Sequence, residues 1–477
     1  MDAVIGFIAP IFWGLVVLSV LVFVHEGGHF LAARACGVRV LEFFLGMPCR
    51  IQLSRTSKRI GTKFGITPLL LGGYAEICGM DPTKVPCAPR VLTSIHRHGV
   101  STVDEIASEL ELSVQEVQDA CITLYNWGSI VPRESGYESR PDGFPAAFAS
   151  VPRDAAGNTV YDGKAFDRAH ATAEGDPWEP PMGEIAFYNL ERSHTYLGVG
   201  FWRRAFMLIA GIAVNIVCGF LLVVSVYSVV GVETVRDVNV IGSIEPDMPA
   251  EAAGLNPGDR ILKVNDAQTN TWVEVVEAID GSPEGKPLSL SVWRPSDASD
   301  TYDHLANDNN AGSDSWLKEH GSFHAIEVSL TKDGMLGINA SVQTARLNPI
   351  DSCRIAADNI AATAVNIARL LNPSHTMEIL DNSTSVVGIS VMSAQAAAAG
   401  PATFLNFAAM ISFSLGFMNL LPIPPLDGGK LVIEVIQAVT KREVPLKVQS
   451  AVSIAGIVLF GLLFIYMLRA DILRFFL

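Results

Sequence analysis

His25, Glu26 and His29 stand in the order HEGGH at the end of an uncharged, apolar run from Ala3 to Val24. On a helix, positions i and i+4 share a face, so the two imidazoles can point at one ion while Glu26 flanks it. Two imidazoles that bind a metal and a carboxylate that carries a proton are parts of a zinc hydrolase. HExxH also arises by chance in long chains, but ionisable groups in or beside a bilayer helix are costly and are usually kept for function. The expected chemistry is hydrolysis at a metal held within the membrane.

A catalytic zinc takes three protein ligands and keeps one position open, so HEGGH needs a partner elsewhere. Asp427 is the best candidate, because the stretch NLLPIPPLDGG, from Asn419 to Gly429, interrupts an apolar run with three prolines just before that carboxylate. An interrupted helix at membrane depth is tolerated where it lines a cavity in the protein. Glu434 competes as a ligand, but it sits a turn or two into the next helix and more simply faces the cytoplasmic interface. Cys78 and Cys87 lack zinc-ribbon spacing and are not expected to bind a second metal.

These groups must be positioned by membrane helices. The chain has 477 residues, is 49% hydrophobic, and carries four uncharged runs able to reach across about 30 Å of hydrocarbon. The predicted fold class is a polytopic α-helical membrane protein, with transmembrane helices at 1–36, 202–232, 400–426 and 447–470. The first run has no basic residue before it, and cleavage there would destroy HEGGH, so it reads as a retained helix and not as a signal peptide. Lys and Arg follow the first run, precede the second and lie between the last two. The positive-inside rule therefore puts both termini outside the cell membrane and the HEGGH end toward the cytoplasm.

Between the spans, residues 37–80 alternate like strands with turn signals and predict a membrane-associated β-rich loop. Residues 81–195 form a cytoplasmic insertion, with short helices expected near 89–98, 102–110 and 113–127 and strand-poor sequence after them. Its part from 89 to 135 resembles a winged helix-turn-helix. Ser101 to Trp127 carries six acids and no Lys or Arg, so it cannot neutralise phosphates; a protein partner is expected and no nucleic acid. The net charge of −15 agrees with that exclusion.

Residues 235–345 contain MPAEAAGLNPGDRILKVND, which resembles the core of a bacterial PDZ domain placed outside the membrane. Within it, about 295–321 reads as a flexible polar loop, and Met335 to Ile338 as a segment closing the sheet. Residues 350–372 have the periodicity of an amphipathic helix on the membrane surface. Of seven cysteines only Cys353 falls on the expected exterior, so no disulfide framework is implied.

HExxH on the first span, a GGY-containing loop, the PDZ-like segment and NLLPIPPLDGG on the third span together resemble the site-two protease family of intramembrane zinc metalloproteases, of the bacterial regulator-of-sigma-factor type. The resemblance leaves out the insertion. It implies Zn2+ held by His25, His29 and Asp427, with Glu26 as general base. It places Asn419 and the loop glycines Gly72 and Gly73 near substrate and suggests a role for Asn215, whose simpler reading is an interhelical hydrogen bond. Where the family usually has Gly-Pro, this chain has Gly211-Ile212. The implied partners are a transmembrane protein substrate and the lipid bilayer, and anti-sigma factors or signal-peptide remnants are the typical substrates. The competing reading is an inactive membrane receptor or scaffold with a structural metal site, which would leave Glu26 without a role.

Overall fold

In the computed structural model the first apolar run continues without a break through HEGGH as α1 (Asp2–Ala35). The structure describes all residues except 1, 71, 82–84, 134–142, 283–286, 297–313, 332–333, 371, 373, 375–383, 443 and 476–477. Residues 1–225 and 350–477 make one unit, and residues 226–349 make another.

Just past α1, β1 (Val40–Leu45), β2 (Leu53–Thr56), β3 (Lys63–Ile66) and β4 (Gly73–Ile77) form a sheet in the order β2-β3-β1-β4. β1 pairs in parallel with β3 and antiparallel with β4, which leaves β4 at the edge. The sheet lies against α1: Ser19 donates its hydroxyl hydrogen to the carbonyl of Leu70. A Cβ on Gly73 would come within 2.7 Å of the Phe44 carbonyl oxygen and 3.6 Å of Phe23 Cα, so that strand start has to be glycine.

The insertion follows as α2 (Ala88–His98), β5 (Val100–Thr102), α3 (Val103–Leu110), α4 (Val114–Asn126), β6 (Ile130–Arg133) and β7 (Ala147–Ser150). Thr102 with Glu105 and Ser113 with Glu116 form capping boxes that start α3 and α4. Strand-poor sequence was expected after α4, but two strands occur there, and β7 pairs antiparallel with both β5 and β6. Their four residues each are too few to show a periodic signal. Leu92, Ile95, Ile106, Leu124 and Phe148 fill the core together with Phe187 from α5 (Glu184–Ser193).

The insertion is tied to the end of α1 by a buried ionic network. Arg39 donates to Glu191 through both terminal nitrogens, at 2.6 and 3.2 Å. Arg153 donates to the same carboxylate at 2.8 Å and to His96 Nε2 at 3.1 Å, and Ser129 adds a hydroxyl at 2.6 Å. Arg39, Arg153, His96 and Glu191 are all buried, so each charge depends on its partners.

α6 (Phe201–Ser225) is the second long apolar helix. In the unit of residues 226–349 come β8 (Val232–Val235), β9 (Ile241–Ile244), α7 (Pro249–Ala252), β10 (Arg260–Val264), β11 (Ala267–Gln268), α8 (Trp272–Asp280), β12 (Leu288–Pro295), α9 (Asp314–His320), β13 (Gly321–Val328), β14 (Ile338–Ala340) and β15 (Val342–Ala345). A four-stranded sheet runs β11-β10-β12-β13, and β14 pairs with β9 and β15 with β8. Ile241, Ile261, Val275, Leu290 and Leu336 are among its buried core residues. Asp259, in the Gly-rich turn before β10, takes two hydrogen bonds from Arg294 at 2.8 and 2.7 Å. Most of the polar loop expected at 295–321 lies outside the described residues, while residues 314–320 are helical.

The chain then forms α10 (Pro349–Arg369), α11 (Val386–Ala398), α12 (Pro401–Asn419), α13 (Asp427–Thr440) and α14 (Leu446–Phe475). Among the described residues, four helices are long and apolar enough to cross a membrane, with spans at Ile8–Ala35, Phe201–Val230, Pro401–Asn419 and Leu446–Leu473. The third is shorter than the expected 400–426, because Pro422, Pro424 and Pro425 cannot continue a helix. α11 was not anticipated; its 13 residues rise only about 20 Å at helical pitch. The Asp471 carboxylate of α14 accepts from the Ser385 and Gly388 backbone N–H groups at 2.7 and 3.2 Å and so caps its start.

Candidate metal centre

α1 carries His25 and His29 one turn apart, and both are buried, at 5% and 7% exposure. Asp427 opens α13, just after the proline-rich turn. That turn is tight: a Cβ on Gly428 would lie 2.5 Å from the Leu421 carbonyl oxygen, and one on Gly429 would meet Pro424. The two glycines of LDGG therefore let the carboxylate fold back under the end of α12. His25 Nε2 and His29 Nε2 each lie 3.0 Å from Asp427 Oδ2 and 3.1 Å from each other. Among the described residues these three are the group able to hold a metal ion.

The donor set fits zinc. Ligand atoms at tetrahedral angles and about 2.0–2.1 Å from the ion lie about 3.3 Å apart, within a few tenths of the observed triangle. Two imidazole nitrogens and one carboxylate oxygen also match the ligand classes of a hydrolytic zinc site. His29 Nδ1–H donates to the Met207 carbonyl of α6 at 2.7 Å, which leaves the Nε2 lone pair for an ion.

Close approach of α6 explains the glycine just before His29. A Cβ on Gly28 would be 2.6 Å from the Ala210 carbonyl oxygen, and one on Gly211 would run into His29 Nε2 and come within 2.9 Å of His25 Cε1. Glycine faces glycine where the helices cross, the small-residue packing that lets membrane helices touch backbone to backbone. Composition and spacing alone did not reveal this crossing or the part played by the Met207 carbonyl, since a main-chain acceptor carries no sequence signal.

The other expected residues fall around this centre. Glu26 follows His25 on α1 and is half-buried. Asn215 of α6 is fully buried, with its amide nitrogen 3.3 Å from His25 Nδ1. Asn419 ends α12, where its amide donates to the Leu415 carbonyl of its own helix at 3.0 Å. Gly72 (φ +143°) and Gly73 lead into edge strand β4, and a Cβ on Gly72 would touch Val22, one turn before His25. Glu434 stands apart: it is buried against the Tyr196 hydroxyl at 3.2 Å and Arg204 at 2.9 Å. All seven cysteines are free thiols.

Comparison with known proteins agrees with this arrangement. The profile described as Peptidase family M50 matches residues 13–463. The zinc metalloprotease RasP of Shouchella clausii is 26% identical over all of both chains. The regulator of sigma-W protease RasP of Bacillus subtilis is 25% identical over 97% of this chain and 98% of its own, and the zinc metalloprotease RasP of Geobacillus kaustophilus is 25% identical over 97% of each. The matched span covers both halves of the His, His, Asp group and all but the ends of the outer helices, so the chain belongs to peptidase family M50 and is a membrane-bound zinc metalloprotease.

Proposed function

We propose that the chain hydrolyses peptide bonds in or near the transmembrane segments of membrane protein substrates, with His25, His29 and Asp427 as zinc ligands and Glu26 as general base. The observation that carries this reading is the buried triangle of three ligand atoms formed between α13 and α1, a helix long and apolar enough to span a bilayer. The ion supplies Lewis-acid activation of water and of the scissile carbonyl. Glu26, next to a ligand on the same helix, takes the proton of the attacking water and passes it to the leaving amine.

A helical substrate hides its peptide bonds in i to i−4 hydrogen bonds and must unwind before it can be cut. β4 supports a route for this: it is the edge of its sheet and begins at Gly73, just after Gly72, which lies beside the turn of α1 that precedes His25. The unwound strand pairs there and meets Asn419 at the end of α12. Both termini face outward and the metal centre faces the cytoplasm, in keeping with the distribution of Lys and Arg. Residues 235–345 act as an external PDZ domain that excludes bulky substrates or reads new carboxyl termini. The winged-helix-like part of the insertion binds a protein partner. The name of the Bacillus subtilis relative, a regulator of sigma-W, favours regulated proteolysis, and the family resemblance makes an anti-sigma factor or signal-peptide remnants the expected substrates.

The test is cleavage of a model single-span substrate by the purified full chain, beside a zinc assay. The wild-type chain is expected to cut and to hold one zinc, and Glu26→Gln is expected to hold zinc without cutting. Retained cleavage by Glu26→Gln would remove Glu26 from the mechanism. Loss of zinc from that variant would make it a ligand instead.

A further inference from the structure

α6 approaches both histidines, but the two contacts differ in sense. The Met207 carbonyl can only accept, so it holds the His29 proton on Nδ1 and leaves Nε2 free. At His25 Nδ1 the α6 partner is the side-chain amide of Asn215, with its nitrogen at 3.3 Å and its buried oxygen without a hydrogen-bond partner. In that orientation the amide donates to Nδ1 and forces the His25 proton onto Nε2, the atom 3.0 Å from Asp427 Oδ2. A neutral imidazole cannot both carry a proton on Nε2 and give that nitrogen to an ion.

Amide oxygen and nitrogen have nearly the same shape, and the hydrogen-bond network decides which is which. Exchanging them puts Oδ1 where it accepts from His25 Nδ1–H and frees Nε2. The exchange moves the uncompensated end of the amide and does not remove it, so the demand of the ion on the ring is what decides. A further contact holds the residue in place: Ser412 of α12 donates to the main-chain carbonyl of Asn215 at 2.8 Å.

We infer that Asn215 is a positioning residue for the metal centre, whose side-chain oxygen accepts from His25 Nδ1–H and fixes the ring with Nε2 toward the ion. The inference rests on His25 being a zinc ligand. It separates Asn215 from a substrate contact, because a residue that orients a ligand changes metal affinity, whereas one that touches the peptide changes KM.

The experiment is competition for zinc between a chelator and the detergent-solubilised full chain, with KM for a model substrate measured alongside at saturating zinc. Asn215→Ala is expected to weaken zinc about 10- to 100-fold, the usual cost of losing a partner of a liganding histidine, with KM unchanged. Asn215→Asp, which can accept but not donate, is expected to restore affinity to within about threefold of wild type. Asn215→Leu, similar in size and unable to accept, should behave like the alanine variant, and it decides the matter should the aspartate variant fail to accumulate. Wild-type affinity in the alanine and leucine variants overturns the inference, as does an aspartate variant that folds but binds no better than alanine. A wild-type chain that takes up no zinc overturns the metal assignment itself, which a His25→Ala control reads separately.

Discussion

Gly211 shows how strongly single atoms constrain this centre. It has no side chain of its own to contribute, yet a Cβ there would occupy the space of His29 Nε2. Gly211→Ala is therefore expected to lower zinc affinity by about tenfold or more while the chain remains helical and membrane-inserted. Zinc titration beside far-UV circular dichroism checks this, and full zinc affinity in a folded variant would show that the crossing can widen at no cost. At this scale the sequence was informative wherever chemistry needs a particular side chain. HEGGH could be read directly, and Asp427 stood out as a carboxylate after three prolines. What holds those groups was hidden, because the Met207 carbonyl is main chain and the facing of Gly28 and Gly211 depends on how two distant helices cross.

Among the elements, the insertion is the one the resemblance left out, and its three helices were expected near 89–98, 102–110 and 113–127. Its ionic attachment to Arg39 was not, since Arg39, His96, Ser129, Arg153 and Glu191 are scattered through the sequence and meet only when folded. The network makes the insertion sensitive to acid. Burial, with Arg153 beside it, lowers the His96 pKa to about 3. Burial alone would raise the Glu191 pKa, but Arg153 and Arg39 overcome it and hold the carboxyl well below its usual range. An unfolded histidine takes a proton below about pH 6.5, so between there and about 3 the unfolded chain binds more protons and stability falls as pH falls. Limited proteolysis of the insertion should thus speed up as pH drops from 7 toward 4. His96→Gln, which can still accept from Arg153, should flatten that dependence. Parallel curves for the two chains would remove His96 as the cause. The strands after α4 and the short helix α11 escaped sequence reading for different reasons: the strands are too short for periodicity, and α11 is an apolar stretch that Gly400 and Pro401 divide from α12.

For the whole molecule, the four long apolar runs were plain from composition, and they became the four candidate spans. A domain was expected at 235–345 from its PDZ-like segment; residues 226–349 form a unit of their own, with the two parts of the metal centre on either side of it in the chain. His25 and His29 belong to the segment before that unit, and Asp427 belongs to the segment after it. Zinc held by these three residues would staple together two polypeptide stretches that the chain joins only through that unit. Chains severed within residues 226–349 and produced together should reassemble into a zinc-loaded pair, measured as one zinc per co-purified pair and as loss of co-purification when Asp427 is replaced by Ala. Halves that stay associated equally well without the aspartate would show that helix packing alone joins them. A protease of this design could be made dormant as two harmless fragments and switched on by bringing them together, with the metal reporting that the join is complete.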